Sequence, residues 1–195
     1  MSLALTETGI PKKEVYTYAD YSLLPEGAPY QLIGGKLIMT PAPATFHQII
    51  LIRLTEKLLN FNAKEKSGQV LVSPIDVYFE EKETYQPDII FIAKDRLHII
   101  EPAKIHGAPD LVVEVLSPST AYYDLKKKAR TYARCGVKEY WIVDPEEKSI
   151  EVYNGREGKL TLSQRVEEEG RIKSLILDGL EIEAGEVFAQ LQTQK

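Results

Sequence analysis

Cysteine is nearly missing from this chain. Cys135 is the single one in 195 residues, so no internal disulfide can form and a reducing compartment is expected. Long apolar runs are missing too, none approaching the roughly 18 residues a membrane-spanning helix needs. The amino terminus, MSLALTETGIPKKEV, lacks the apolar core and basic flank of a signal peptide. These absences predict a cytoplasmic protein with no membrane partner. Positive charge is not in excess: 24 Lys and Arg against 29 Asp and Glu leave a net charge of −5 and a pI near 5.4. Nothing global therefore draws the chain to nucleic acid or anionic lipid, although a local patch or a bound metal can outweigh so modest a charge. His47, His98 and His106 have no mutual metal-ligand spacing. Gly155 to Lys159 lacks P-loop spacing and a following helix, and reads as a turn. No repeat of solenoid period and no low-complexity segment occurs.

What is present is an ordinary globular composition, with 44% hydrophobic and 27% charged residues. The length suits one compact unit. Residues 1–16, with no sustained period and with Gly9 and Pro11, read as a flexible leader, and 17–195 as a single domain.

The organising stretch is 109–132, PDLVVEVLSPSTAYYDLKKKARTY. Leu111-Val112-Val113-Glu114-Val115-Leu116, closed by Ser117-Pro118, is too short and too β-branched for a helix and predicts a strand. A run apolar on both faces belongs inside a sheet covered on both sides. Glu114 interrupts it, where an unpaired carboxylate is heavily penalised. It therefore needs a cation or hydrogen-bond donors to keep its charge.

Around that strand, Thr17 and Asp20 predict a capping box and a short helix ending before Pro25. Tyr30 to Met39, with Gly34-Gly35 between two apolar runs, predicts a two-residue hairpin. A helix is expected over about 45–64, with Ile49, Ile52 and Leu59 inward and Glu56, Lys57 and Lys64 outward. Val70 to Phe79 predicts a strand interrupted or bulged near Pro74. Asp88 to Ile92 is expected to return as its antiparallel partner across the charged tip at 80–83, with Pro87 opening it. A helix beginning at Ser119 or Thr120 is expected to end at Gly136. Further strands follow at 139–143, 150–153, 160–162 and 172–177, and an amphipathic stretch at 184–191 closes the chain. The sum is an α/β fold, a mixed central β-sheet flanked by helices with additional C-terminal strands.

Alternation places Asp110, Val112, Glu114 and Leu116 on one strand face. Asp88 can meet Glu114 across the sheet if the registers match. On the next helix, Leu125, Lys128, Ala129 and Tyr132 share a stripe, while Lys126 and Lys127 rotate away. Two acids and a lysine converging describe a metal-dependent hydrolytic site, with carboxylates holding Mg²⁺ or Mn²⁺. The same groups also describe a buried salt bridge, and pattern alone leaves both open. Lys126 to Lys128 with Arg130 and Arg134 make a basic helix segment, a solvated face unless a phosphate backbone lies beside the acids.

Five segments in order, 30–35 (YQLIGG), 41–47 (PAPATFH), 86–88 (QPD), 108–120 (APDLVVEVLSPST) and 136–145 (GVKEYWIVDP), resemble the bacterial putative restriction endonuclease family (Uma type) of the PD-(D/E)XK nuclease superfamily. The likeness spans about 17–155. It implies the restriction-endonuclease-like fold, with Pro87-Asp88 as the superfamily's PD and Glu114 as the acid of (D/E)XK. Asp88, Glu114 and the Val115 carbonyl are then the ligands of Mg²⁺ or Mn²⁺. Leu116 stands where the parent motif has its lysine. The resemblance moves that role to Lys128, within a D…K…Y run of Asp124, Lys128 and Tyr132, with Lys128 orienting the attacking water on a DNA phosphodiester. Gln31 stands where relatives generally carry Glu, and His47 matches a recurrent position without an evident role. Dimers are common in the superfamily, so a homodimer is expected. Two alternatives stay open: a nuclease fold that no longer cuts and binds DNA or protein, and an oligomer in which the acids and lysine are only a buried charge network.

Overall fold

In the computed structural model, which describes residues 9–117 and 121–189, the local signals act first. Thr17 opens helix α1 (Tyr18–Tyr21), its backbone N–H and hydroxyl both donating to the Asp20 carboxylate. Strands β1 (Tyr30–Ile33) and β2 (Lys36–Met39) pair through Gly34 and Gly35, at φ of 59° and 72°. A two-residue turn with both φ positive matches the right-handed twist of the strands it joins. Within the segment read as a leader, Ile10 and Tyr16 are buried against Tyr21 and Leu32.

Helix α2 (Thr45–Glu65) buries His47, Ile50, Leu51, Leu54 and Leu58. The expected inward face is corrected here: Ile52 is 64% and Leu59 47% exposed. Apolar residues fill one full turn at 49–52, so that turn chooses no face. Ile50 and Leu51 are continued by Leu54 and Leu58, whereas Ile52 is followed at helical spacing by Thr55 and Glu56.

The run from Val70 to Phe79 divides. Strand β3 (Gly68–Val72) and strand β4 (Val77–Glu80) lie in different sheets, separated at Pro74, which has no N–H for a ladder. The charged tip turns the chain as expected, but β4 pairs there with β5 (Glu83–Tyr85). Strand β6 (Ile89–Ala93) is instead the antiparallel partner of β3. A 3₁₀ turn (Lys94–Ile99) and β7 (Ile105–His106) lead to β8 (Leu111–Val115), the predicted central strand.

The expected start of the following helix, Ser119 or Thr120, lies outside the described residues. Tyr123–Lys128 is wound as a π-helix that continues as α3 (Ala129–Cys135), ending at Gly136 with φ 90°. Strands β9 (Glu139–Asp144), β10 (Ser149–Arg156) and β11 (Lys159–Val166) form a meander. Strand β12 (Arg171–Lys173), shorter than the expected 172–177, pairs with β13 (Glu181–Glu183), and α4 (Ala184–Phe188) follows. The rest of the expected stretch at 190–191 lies outside the described residues.

The large sheet runs β11-β10-β9-β8-β6-β3, with β8 and β9 parallel and the other pairs antiparallel. A second sheet, β2-β1-β5-β4-β7, packs on one face with the π-wound helix, while α2 and the C-terminal elements cover the other. Leu111, Val112, Val113 and Val115 are at most 1% exposed. Burying each stabilises by about 1.5–3 kcal/mol, so the strand that carries Glu114 is firmly anchored. Val113 faces α2 and Val112 faces the π-wound helix. By alternation Glu114 shares the second direction.

Candidate active site

Register brings the acids together. Strands β6 and β8 pair with Ile89 opposite Val113, which sets Asp88 level with Glu114. The Val115 N–H donates to Asp88 Oδ2 at 2.8 Å, so the acid is tied to the backbone beside Glu114. From α2, His47 Nε2 approaches the same Oδ2 at 3.2 Å. Burial opposes a charge on His47, but the hydrogen bond and charge of Asp88 outweigh it and raise its pKa.

Deeper in, Lys128 Nζ lies 3.1 Å from Glu114 Oε1 and 2.8 Å from Asp124 Oδ1, and the Tyr132 hydroxyl donates to Glu114 Oε1 at 2.5 Å. These four side chains are almost wholly buried. The π winding decides which residues meet there. Leu125, expected on the inward stripe, is 44% exposed, and Asp124 takes its place beside Lys128. A widened turn with i→i+5 bonds shifts the phase of the residues before it. Lys126 and Lys127 do rotate away: Lys126 and Arg130 line a separate groove with Tyr140, Tyr153 and Leu160. Of the basic segment, Lys128 alone faces these acids, and Lys126 and Arg130 point to the other groove.

Gln31 also reaches the site wall. Its Oε1 accepts the Gln86 N–H at 3.0 Å and its Nε2 donates to Thr40 Oγ1 at 3.3 Å, fastening the backbone just before Pro87-Asp88. Asp110 does not take part, contrary to the expectation from alternation. It stands at the opposite end of β8, where Arg96 and Lys138 lie 2.9 and 2.8 Å from Oδ1 and the Ala93 N–H donates to Oδ2 at 2.8 Å. Alternation gives the face of a strand but not distance along it.

Asp88, Glu114, Val115, Asp124, Lys128, His47 and Gln31 all line one cleft of about 700 Å³. Three carboxylates there meet one lysine and one histidine. Burial pushes the Glu114 carboxyl up to about 8; Lys128 pulls against this, while the charges of Asp124 and Asp88 reinforce it. Burial also works against the Lys128 charge, but Glu114 and Asp124 prevail and raise its pKa, so the ammonium persists. Burial raises the Tyr132 hydroxyl, and it stays a donor.

A divalent cation suits this donor set. The available atoms are hard oxygens, and a bound cation would offset the burial that keeps the proton on Glu114. Among the described residues no three His, Cys, Asp or Glu groups form a ready-made cage. Mg²⁺ commonly takes one or two carboxylates and fills its remaining positions with water and substrate oxygens. Asp124 is the member of the cluster that the sequence names only within the D…K…Y run. Its signal is the i,i+4 spacing to Lys128.

Fold and cleft together define a restriction-endonuclease-like protein with an acidic, lysine-containing site at the edge of its central strand. The sequence matches Uma2, described as a putative restriction endonuclease family, over residues 17–185, and the chain belongs to that family. A crystal structure of a putative nuclease belonging to DUF820 from Anabaena variabilis is similar in fold, with a TM-score of 0.74 and 21% identity, covering 88% of this chain and 97% of that one. An uncharacterized protein of Synechocystis sp. is 26% identical over 135 residues, 67% of this chain and 76% of its own length. No helix among the described residues is long and apolar enough to cross a membrane.

Proposed function

We propose that this protein is a Mg²⁺- or Mn²⁺-dependent endonuclease that hydrolyses DNA phosphodiester bonds, with Asp88, Glu114 and the Val115 carbonyl as the metal-holding groups. When bound, the ion supplies Lewis-acid polarisation of the phosphoryl oxygens. The chain's own groups do the rest. His47 and the Val115 N–H hold Asp88 Oδ2 in place. Tyr132 fixes Glu114 by its Oε1. Lys128, steadied between Glu114 and Asp124, orients the attacking water and opposes the negative charge that builds on the phosphoryl oxygens.

One observation carries this reading: the residue just before β6, a residue of β8 and one of the π-wound helix bring two acids and a lysine to the same cleft. A purely structural salt bridge needs only one acid for that lysine. A specific observation also favours the non-cutting alternative, since the Lys128 ammonium is already engaged by two carboxylates. Calorimetric titration of Mg²⁺ or Mn²⁺ into wild type and Asp88→Asn, with plasmid nicking on the same samples, separates the two. Binding and nicking that both disappear in the variant support the endonuclease. Metal binding by wild type without nicking of any nucleic acid supports the inactive module.

A further inference from the structure

Asp88 and Glu114 are fastened in the same manner, each by one oxygen. Asp88 Oδ2 accepts the Val115 N–H at 2.8 Å and faces His47 Nε2 at 3.2 Å. Glu114 Oε1 accepts the Tyr132 hydroxyl at 2.5 Å and the Lys128 ammonium at 3.1 Å. A carboxylate oxygen has two lone pairs, so two donors fill each of these atoms. The other oxygens, Asp88 Oδ1 and Glu114 Oε2, accept no hydrogen bond from any described residue.

The donors are held as firmly as the acids. Tyr132 is fully buried, its ring edge-on to Tyr85 and Tyr140 at centroid distances of 5.8 and 5.1 Å. His47 is buried on α2, and its Nδ1 has no hydrogen-bond partner. A proton on Nδ1 alone would leave a buried donor unpaired and set the Nε2 lone pair against a carboxylate. The ring therefore directs an Nε2 proton at Asp88. Such fixed donors matter because divalent ions differ in what they ask of a carboxylate. Mg²⁺ takes one oxygen from each of one or two carboxylates and keeps several waters. Ca²⁺ gathers about 6–8 oxygens at longer range and often takes both oxygens of one carboxylate.

We infer that His47 and Tyr132 are the metal-selectivity residues of this cleft: by filling one oxygen of Asp88 and one of Glu114, they impose single-oxygen ligation and favour Mg²⁺ over Ca²⁺. Neither side chain touches the ion; each acts through the acid it holds. This inference rests on the metal-dependent nuclease reading of the same site and specifies which ion that site accepts.

The test is calorimetric titration of the full chain with Mg²⁺ and with Ca²⁺ at one pH and constant ionic strength. Wild type should bind Mg²⁺ at least about five-fold more tightly than Ca²⁺. Tyr132→Phe removes only the hydroxyl, and His47→Phe keeps a ring without the Nε2 donor. Each should strengthen Ca²⁺ binding by about three- to ten-fold and change Mg²⁺ binding by no more than about two-fold. His47→Gln, whose amide can still donate, should stay close to the wild-type ratio. Thermal melts show which variants fold, and the His47 pair carries the test if Tyr132→Phe does not. Equal or tighter Ca²⁺ binding by wild type overturns the inference. So do Phe variants that change both ions alike, the mark of a merely structural role. Binding of neither ion removes the metal-dependent reading together with this inference, whereas Mg²⁺ binding without discrimination removes the inference alone.

Discussion

The two ends of strand β8 hold two buried acids in opposite electrostatic states. At Asp110, Arg96, Lys138 and the Ala93 N–H converge on one carboxylate, and although burial opposes it these donors hold its pKa below the ordinary value. At Glu114 a single lysine is shared with Asp124, and burial pushes the carboxyl up to about 8. The first is a satisfied structural contact. The second is a carboxyl that burial keeps protonated near neutral pH unless a cation takes the place of its proton, the kind of perturbed group that gathers at metal and catalytic sites. Four positions along the chain thus separate an anchor from the candidate site, and the difference lies in the neighbours each end recruits.

The contrast can be broken most directly by mutation. Glu114→Ala should lower metal-dependent nicking by at least about a hundred-fold while the thermal melt stays cooperative; unchanged nicking would remove Glu114 from the site. Next in size, Lys128→Ala should lose on the order of a hundred-fold in rate, against a change of no more than about three-fold for Lys127→Ala on the outer side of the helix. Equal losses would contradict the helix phase. At the other end, Asp110→Asn should cost about 1–3 kcal/mol of stability in denaturant titration with nicking per folded molecule unaltered. A loss of activity without loss of stability would place Asp110 in the chemistry after all.

The smallest effect concerns pH and differs in sign between the ends. The Asp110 pKa is lowered on folding, so its contribution is present above the unfolded value near 3.8 and is lost as pH falls through the folded value. The Glu114 pKa is raised, so in metal-free protein its favourable contribution is present below about 4.5 and is lost as pH rises toward about 8. Melting temperatures of wild type minus Glu114→Gln should therefore decline from pH 5 to pH 8 (taken as about the two pKa limits). Those of wild type minus Asp110→Asn should decline only in acid. Parallel profiles for the two variants would erase the distinction.

Much of this was legible in the chain itself. Gly34-Gly35 set the hairpin, Thr17 and Asp20 the capping box, and the β-branched run at 111–115 the central strand, because each depends on residues within a few positions of one another. Glu114 and Lys128 stood out as site candidates for the same reason, a carboxylate within an apolar strand and a lysine on the inward side of a helix being local anomalies, whereas Pro87-Asp88 was marked as the PD pair only by the family resemblance. Period alone misjudged α2, where apolar residues fill a whole turn, and Leu125, where π winding shifted the phase.

What the sequence determined by itself is the identity and strength of the elements and the presence of two acids and a lysine that could not be left unpaired. Tertiary structure decided which acid became which. The antiparallel register of β6 on β8 placed Asp88 beside Glu114, and the chain's length along β8 carried Asp110 out of reach to Arg96 and Lys138. It also split the run at Pro74 between two sheets, and brought His47 and Gln31 to the wall of the cleft. Those outcomes depend on contacts between residues tens of positions apart, and local periodicity carries no record of them.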